Sequence, residues 1–514
     1  MGVNQQTDEE SNRTTAYGWM AVLVALAGSI SMVLSSTIVN VAFPDIMGAF
    51  GVGQDQAQWA STAFLASMTV CMLLYSWLHS AIGQQRAYTL VLCAFLTAAL
   101  ICGSATSIEA LIVGRVIQGA CAGIIQPLAM TTIYLAFPPE RRGFAMGIFG
   151  LGVVVAPAIG PFLGGLAIEA ASWRYVFYLP TPFCVVGLLG AQLYLPSAGM
   201  RRPPPFDWTG FILLSVAITL GLYILANGQK EGWASDLISG SSAIAIVSLA
   251  AFGLWEYKFA RAPLFTITLI RIPQFFAAAL VAFVFGATIY GSTYLVPIFV
   301  QLVQHYPPAK AGLLLMPGGL ILALIFPLSG WLADTVPPRI LMVLGFATMA
   351  AGSALISGAD IDTTFWILVA YTLIQRFGLG LIHPTLNATA LRAVPERDVA
   401  AGAGMLNFFR QLGGSAGVVA AVIAYDGGLA RAANAISVAQ ISAEAPIKSY
   451  LLGAESALLA MGADATTRQA LSMAHLENAM TAAAIQYGFE AAFGLLAVVA
   501  VGALAPAWIM TRIR

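Results

Sequence analysis

The chain has 514 residues, 59% of them hydrophobic and only 9% charged, and its Lys and Arg balance its Asp and Glu to a formal net charge of zero. A soluble domain carries roughly a quarter of its residues as charges. This composition, with mean hydropathy +0.84, excludes an ordinary water-soluble protein, and the lack of a basic excess excludes a nucleic-acid surface. The cysteines Cys71, Cys93, Cys102, Cys121 and Cys184 all lie in apolar runs. They read as free thiols rather than as disulfides or a metal site.

In chain order, residues 1–17 are polar and slightly acidic and read as a cytoplasmic tail, with no basic n-region of a cleaved signal. Apolar runs long enough to cross a bilayer then follow near 18–40, 58–79, 87–106, 108–136, 143–168, 174–196, 207–227, 239–258, 274–302, 310–333, 339–358, 363–389, 400–425 and 483–511. The expected fold is an all-α polytopic membrane protein. An even number of spans puts both ends of the chain on one side. The turns on that side hold Arg86, Arg141, Arg142, Arg201, Arg202, Lys258, Arg261, Arg271, Arg339, Arg392 and Arg397, with Arg512 and Arg514 at the end. The opposite short loops hold Asp45, Asp55, Glu109, Asp360 and Asp362. Positive charge stays inside, so both termini are expected in the cytoplasm. Residues 426–482 form the one long exterior segment and read as a helical hairpin, either a cap over the exit or a docking surface.

The chain repeats itself. SWLHSAIGQQR (Ser76–Arg86) follows the second span as GWLADTVPPR (Gly330–Arg339) follows the tenth. Arg115, Gln118 and Gly119 in the fourth span are echoed by Arg376, Gly378 and Gly380 in the twelfth. The organisation expected is two six-helix bundles, 18–196 and 274–514, with two extra helices inserted at 197–273 behind a stiff Arg202–Pro205 linker.

Within this frame Gly147–Gly165 (GIFGLGVVVAPAIGPFLGG) stands out. Gly150, Gly160, Gly164 and Gly165, with Pro157 and Pro161, are costly in a water-exposed helix and tolerated in a membrane where neighbours pack on them. Gly160 and Gly164 have the GxxxG spacing of close helix contact. Arg115 is the strongest single-residue signal, because a charge in mid-membrane is costly and needs a cavity or a partner. Asp334 follows the tenth span as the one acid of the Gly330–Arg339 repeat, and an acid set against a helix start would bias a conformational equilibrium.

Taken together, these residues resemble the major facilitator superfamily, specifically its fourteen-helix drug:proton antiporters of the EmrB/QacA type, over essentially the whole chain. Gly150–Gly165 resembles the antiporter motif gxxxGPxxGG. Arg115, Gln118, Gly119 and Gly123 resemble the fourth-helix motif with its buried arginine. Gly330, Asp334 and Arg339 resemble the loop motif GxLADxxGR, whose first copy holds Gly83 and Arg86. LSSTIVNVAFP (Leu34–Pro44) resembles LDxTIVNVALP, and Trp173–Phe177, Gln301 and Asn407–Gly414 also read like the family. The resemblance implies a major facilitator fold of two six-helix bundles plus two central helices. It implies export of drugs or other amphipathic small molecules in exchange for protons by alternating access, hence antibiotic resistance. It implies no cofactor and a bacterial inner-membrane location. In two-membrane bacteria it also implies a periplasmic membrane-fusion adaptor and an outer-membrane channel as partners.

Two departures matter. Ser35 stands where relatives carry an acid implicated in proton or cation binding, and Ser80 stands where the first loop copy usually has an aspartate. The remaining proton-carrier candidates are His383, Glu490 and Glu256. Asn40, Ser35, Gln118, Gln301, Arg376 and Arg410 are further candidates for the transport cavity, with helix packing or snorkelling as the other reading for the polar and basic ones. Without the acid, export of a metabolite, lipid or organic acid is the alternative, with a non-transporting scaffold or sensor behind it. The GxSxG pattern at Gly413–Gly417 has no strand before it. No GxxxxGK[ST] is present, so neither a hydrolase nor a built-in ATPase is expected.

Overall fold

The computed structural model describes residues 2–197, 205–260, 263–442 and 465–510, with isolated positions between 451 and 459. Among the described residues the chain is helical throughout and has no strand. The long helices are α1 Gly2–Ile38, α2 Gln54–Ile82, α3 Gln84–Gly103, α4 Ile108–Ala136, α5 Arg142–Ala170, α6 Thr181–Tyr194, α7 Trp208–Glu231, α8 Asp236–Lys258, α9 Pro273–Leu302, α10 Pro308–Thr335, α11 Pro338–Ser357, α12 Phe365–Arg392, α13 Val399–Ser442 and α14 Ala465–Gly502. Thirteen helical segments among the described residues are long and apolar enough to cross a membrane. The remaining helix, α5, has 29 residues with charges only at Arg142 and Glu169, and makes the fourteenth.

Local chemistry sets the helix starts. Ser107 caps α4 by accepting from Ala110 N (3.3 Å), and Asp207 caps α7 by accepting from Gly210 N (3.0 Å). Pro127, Pro297, Pro317, Pro327 and Pro384 lie inside helices, as a bundle in lipid permits. Three boundaries differ from expectation. The helix of the first span begins at Gly2, α13 runs on to Ser442, and α14 starts at Ala465. The parts added to α13 and α14 are Ala-rich and favour helix, whereas residues 2–17 are polar with many Thr, Asn and Ser; hydropathy marks only the bilayer-crossing part of each helix. Residues 202–204 of the expected Arg202–Pro205 linker and most of 443–464 lie outside the described residues.

The inserted pair α7 and α8 packs beside the seam of α2 and α13. Leu214, Ile218 and Phe252 share one apolar cluster there with Val70, Leu73, Met405 and Phe408. The two halves meet along α5–α10 and α2–α13. The largest cluster crosses between them, holding Met146 and Phe149 of α5 with Phe326 of α10, Phe285 of α9 and Leu406 of α13.

Candidate functional site

Among the described residues, two buried centres are built around an arginine, one per half. In the first, Arg115 sits seven residues into α4 from the end opposite the termini, roughly 10 Å along the axis. It is fully buried. Its Nε donates to Ala60 O (2.9 Å), and its Nη1 donates to Ser35 O and Ser35 Oγ (both 3.2 Å) and to Gln118 Oε1 (2.9 Å). The guanidinium lies over the Phe64 ring at 4.2 Å, a favourable stack for a desolvated cation. Thus Arg115, Gln118 and Ser35 form one knot that ties α1, α2 and α4 together.

The second centre is built from α12 and α13. Arg410 Nη1 meets His383 Nε2 at 2.9 Å, and its Nη2 donates to Asn407 Oδ1. Asn387 Nδ2 lies 3.4 Å from the same imidazole nitrogen. The His383 ring is boxed by Phe149, Phe285 and Phe326, with centroids at 6.2, 5.8 and 5.5 Å. Arg410 therefore does not snorkel to an interface. Asn387 and Asn407 escaped the sequence reading as partners, although His383/Asn387 and Asn407/Arg410 have the i, i+4 and i, i+3 spacing of one helix face. The phenylalanine box carries no sequence signal, since it joins three helices.

The other candidates lie elsewhere. Arg376 is mid-helix in α12 and donates to Thr293 Oγ1 on α9 (3.2 Å), in neither centre. Its neighbour Gln375 bridges Ser292 and Ser353, both at 2.8 Å. Asn40 accepts from Ser61 Oγ (3.2 Å) at an exposed edge, and Gln301 donates to Pro297 O of its own helix (3.0 Å). Glu490 is exposed on a groove of about 670 Å³ between α11, α13 and α14, with Arg431 and Tyr487, apart from both centres. Glu256 Oε1 accepts from Leu264 N (2.9 Å) and ties down the connector after α8.

At the end of the bundle that carries the termini, Asp334 reaches across the halves. Its carboxylate accepts from Gly143 N (2.7 Å) and Phe144 N (3.0 Å) at the start of α5, and pairs with Arg392. Arg142 pairs with Glu396 at 2.7 Å beside it. A Cβ on Gly330 would lie 2.6 Å from Gly143 O, and one on Gly150 2.9 Å from the Phe326 ring. Backbone-close contact of this kind closes that end. Gly83 turns the chain after α2 at φ +80°, Arg86 is exposed, and Arg339 lies over the Trp508 ring at 5.5 Å.

The antiporter-like stretch has two faces. Toward the termini, Gly147 and Gly150 meet α10. Farther along, a Cβ on Gly160 would come within 2.6 Å of Thr37 Oγ1 in the last turn of α1, and one on Gly164 within 2.7 Å of Val41 in the short turn after it. Gly165 has open space around it. The side chains of Pro157 and Pro161 lie outside the described residues. Gly413 and Gly417 press α13 onto α9, which accounts for the GxSxG pattern as helix packing.

The family description Major Facilitator Superfamily matches residues 24–418. An uncharacterized transporter of this type from Bacillus subtilis, YhcA, is 30% identical over 411 residues, covering 80% of this chain and 77% of its own. The multidrug export protein EmrB of Haemophilus influenzae is 30% identical over 420 residues, covering 78% and 79%. Among solved structures, the human organic anion transporter MFSD10 superposes with a TM-score of 0.63 over 96% of this chain and 99% of its own. At 13% identity that likeness speaks for the fold alone. A duplicated helical bundle, a latch between its halves and these relatives agree: the chain is a multi-pass membrane transporter, not an enzyme, and belongs to the major facilitator superfamily, with sequence relatives that include EmrB-type multidrug exporters.

Proposed function

We propose that the protein exports amphipathic small molecules, drugs among them, in exchange for protons by alternating access. Its location is then a bacterial inner membrane with both termini in the cytoplasm, and the latched end is the cytoplasmic one. Relatives named for multidrug export support the substrate class.

One observation carries the proton coupling. Arginine only donates, so a His383 Nε2 that meets Arg410 Nη1 at 2.9 Å accepts there. The imidazole is then neutral, with its proton on Nδ1. A second proton would turn Nε2 into a donor and set two cations side by side, so protonation and the Arg410 contact exclude each other. The ring packs on Phe149 and Phe326, the residues of the α5–α10 seam. A proton arriving at His383 therefore loosens the packing that the Asp334 latch holds shut. One proton moving inward down a membrane potential supplies about 2.3 kcal/mol per 100 mV.

The test is proton flux in everted vesicles with an acid interior, using cationic, neutral and anionic amphiphiles one at a time. Substrate-dependent proton release lost in His383→Ala and in Arg115→Ala supports the reading. Substrate uptake without any proton movement replaces antiport with potential-driven or facilitated efflux. A second reading, export of an organic acid or other anionic metabolite, is favoured by the neutral acceptors, Ala60 O, Ser35 O, Ser35 Oγ and Gln118 Oε1, that Arg115 meets among the described residues.

A further inference from the structure

Arg115 is fully buried, and among the described residues every hydrogen bond it makes is to a neutral acceptor. Two donors of the same knot, Arg115 Nη2 and Gln118 Nε2, have no hydrogen-bond partner there. The amide of Gln118 cannot be turned round to relieve this, because its Nε2 would then set a donor 2.9 Å from the donor Arg115 Nη1. A buried cation without a counter-charge is strongly unfavourable, and each orphaned buried donor adds about 1–3 kcal/mol. A water molecule would serve the donors and leave the charge uncompensated. An anion answers both.

We propose that Arg115 Nη2, Gln118 Nε2 and the Ser35 hydroxyl bind a monovalent anion, either a free halide or the carboxylate of an exported acid. Ser35 Oγ is already 3.2 Å from Arg115 Nη1, so an acid side chain at that position would supply the same counter-charge covalently. If the anion is the substrate's carboxylate, the inference rests on the exporter reading; if it is a free halide, it does not.

The experiment is thermal unfolding of the purified full-length protein in detergent. The background is sodium isethionate at constant ionic strength, replaced stepwise by chloride, acetate or benzoate. The expected result is a saturable rise in unfolding temperature. Ser35→Asp is expected to abolish the rise. Gln118→Leu, which removes one donor, is expected to move its half-point up by about tenfold. A response to chloride alone assigns a free halide; a response to the carboxylates alone assigns the acid group of a substrate. No anion response in the wild-type protein overturns the proposal, as does an undiminished response in Ser35→Asp or, should that variant not fold, in Gln118→Leu. Vesicle export by the same preparations separates the two readings. Export without an anion response removes only the anion site, and an anion response without export removes only the exporter.

Discussion

The last turns of α10 and of α2 hold equivalent places in the two halves, yet they behave differently. Asp334 reaches across to the start of α5, whereas Ser80 Oγ donates to Trp77 O of its own helix at 2.8 Å. The helix ends that face them differ too. α5 opens on Arg141 and Arg142, and cations at a helix N-terminus oppose its dipole. α13 is preceded by a turn carrying Glu396 and Asp398, which already place negative charge at its start. One helix end needs acids from the other half and takes Asp334 and Glu396; the other brings its own. Ala400 of α13 and Leu78 of α2 share an apolar cluster, so that seam is held by packing. A duplicated architecture thus closes one face with a charged latch on one side and an apolar seam on the other.

Four substitutions would break or sharpen this comparison. Gly147→Leu forces a side chain against the Phe326 carbonyl and Pro327 Cα, the latter 3.1 Å from a Cβ. Backbone cannot yield cheaply, so the closed face should lose at least about 3 kcal/mol, over a hundredfold in population. Export in vesicles should be abolished. Asp334→Asn removes the charge from two N–H acceptances and the Arg392 pair. A loss of about 1–3 kcal/mol is expected, about 5- to 150-fold toward the open face. Maleimide labelling of Ala403→Cys, a buried position near the seam, should accelerate accordingly, and an unchanged rate would refute the latch. Ser80→Asp should add less than about 0.3 kcal/mol, because α13 has its own acids, but about 0.3–1 kcal/mol in an Asp398→Asn background. The same labelling rate reads both. Gly165→Ala, in open space, should stay within about 0.5 kcal/mol of wild type in unfolding and leave export unchanged.

The polar centres show how far residues alone could be read. Arg115 and Gln118 were legible as a pair because they are three apart on one helix and too costly to leave in lipid. His383 was legible as a titratable group, but its meeting with Arg410, 27 residues away on the next helix, was not. Glu490 had the same sequence credentials as His383 and lies on an exterior groove instead, since residue type says nothing about which face of a span looks inward. Arg392 was visible only as a loop charge, 58 residues from its partner Asp334, and Glu396 was not singled out at all, since its partner Arg142 lies 254 residues away in the other half.

By itself the sequence determined the class, the number of spans, the duplication and the short inventory of costly polar residues. Each of these follows from local quantities: apolar run length against bilayer thickness, and the penalty of a charge in hydrocarbon. Only the tertiary structure decided that Asp334 holds Gly143, 191 residues away, that Ser35 rather than an acid meets Arg115, and that His383 answers to Arg410. Those pairings depend on where helices cross and how closely glycine lets them approach, and the energy that selects one crossing over another is shared among many distant side chains.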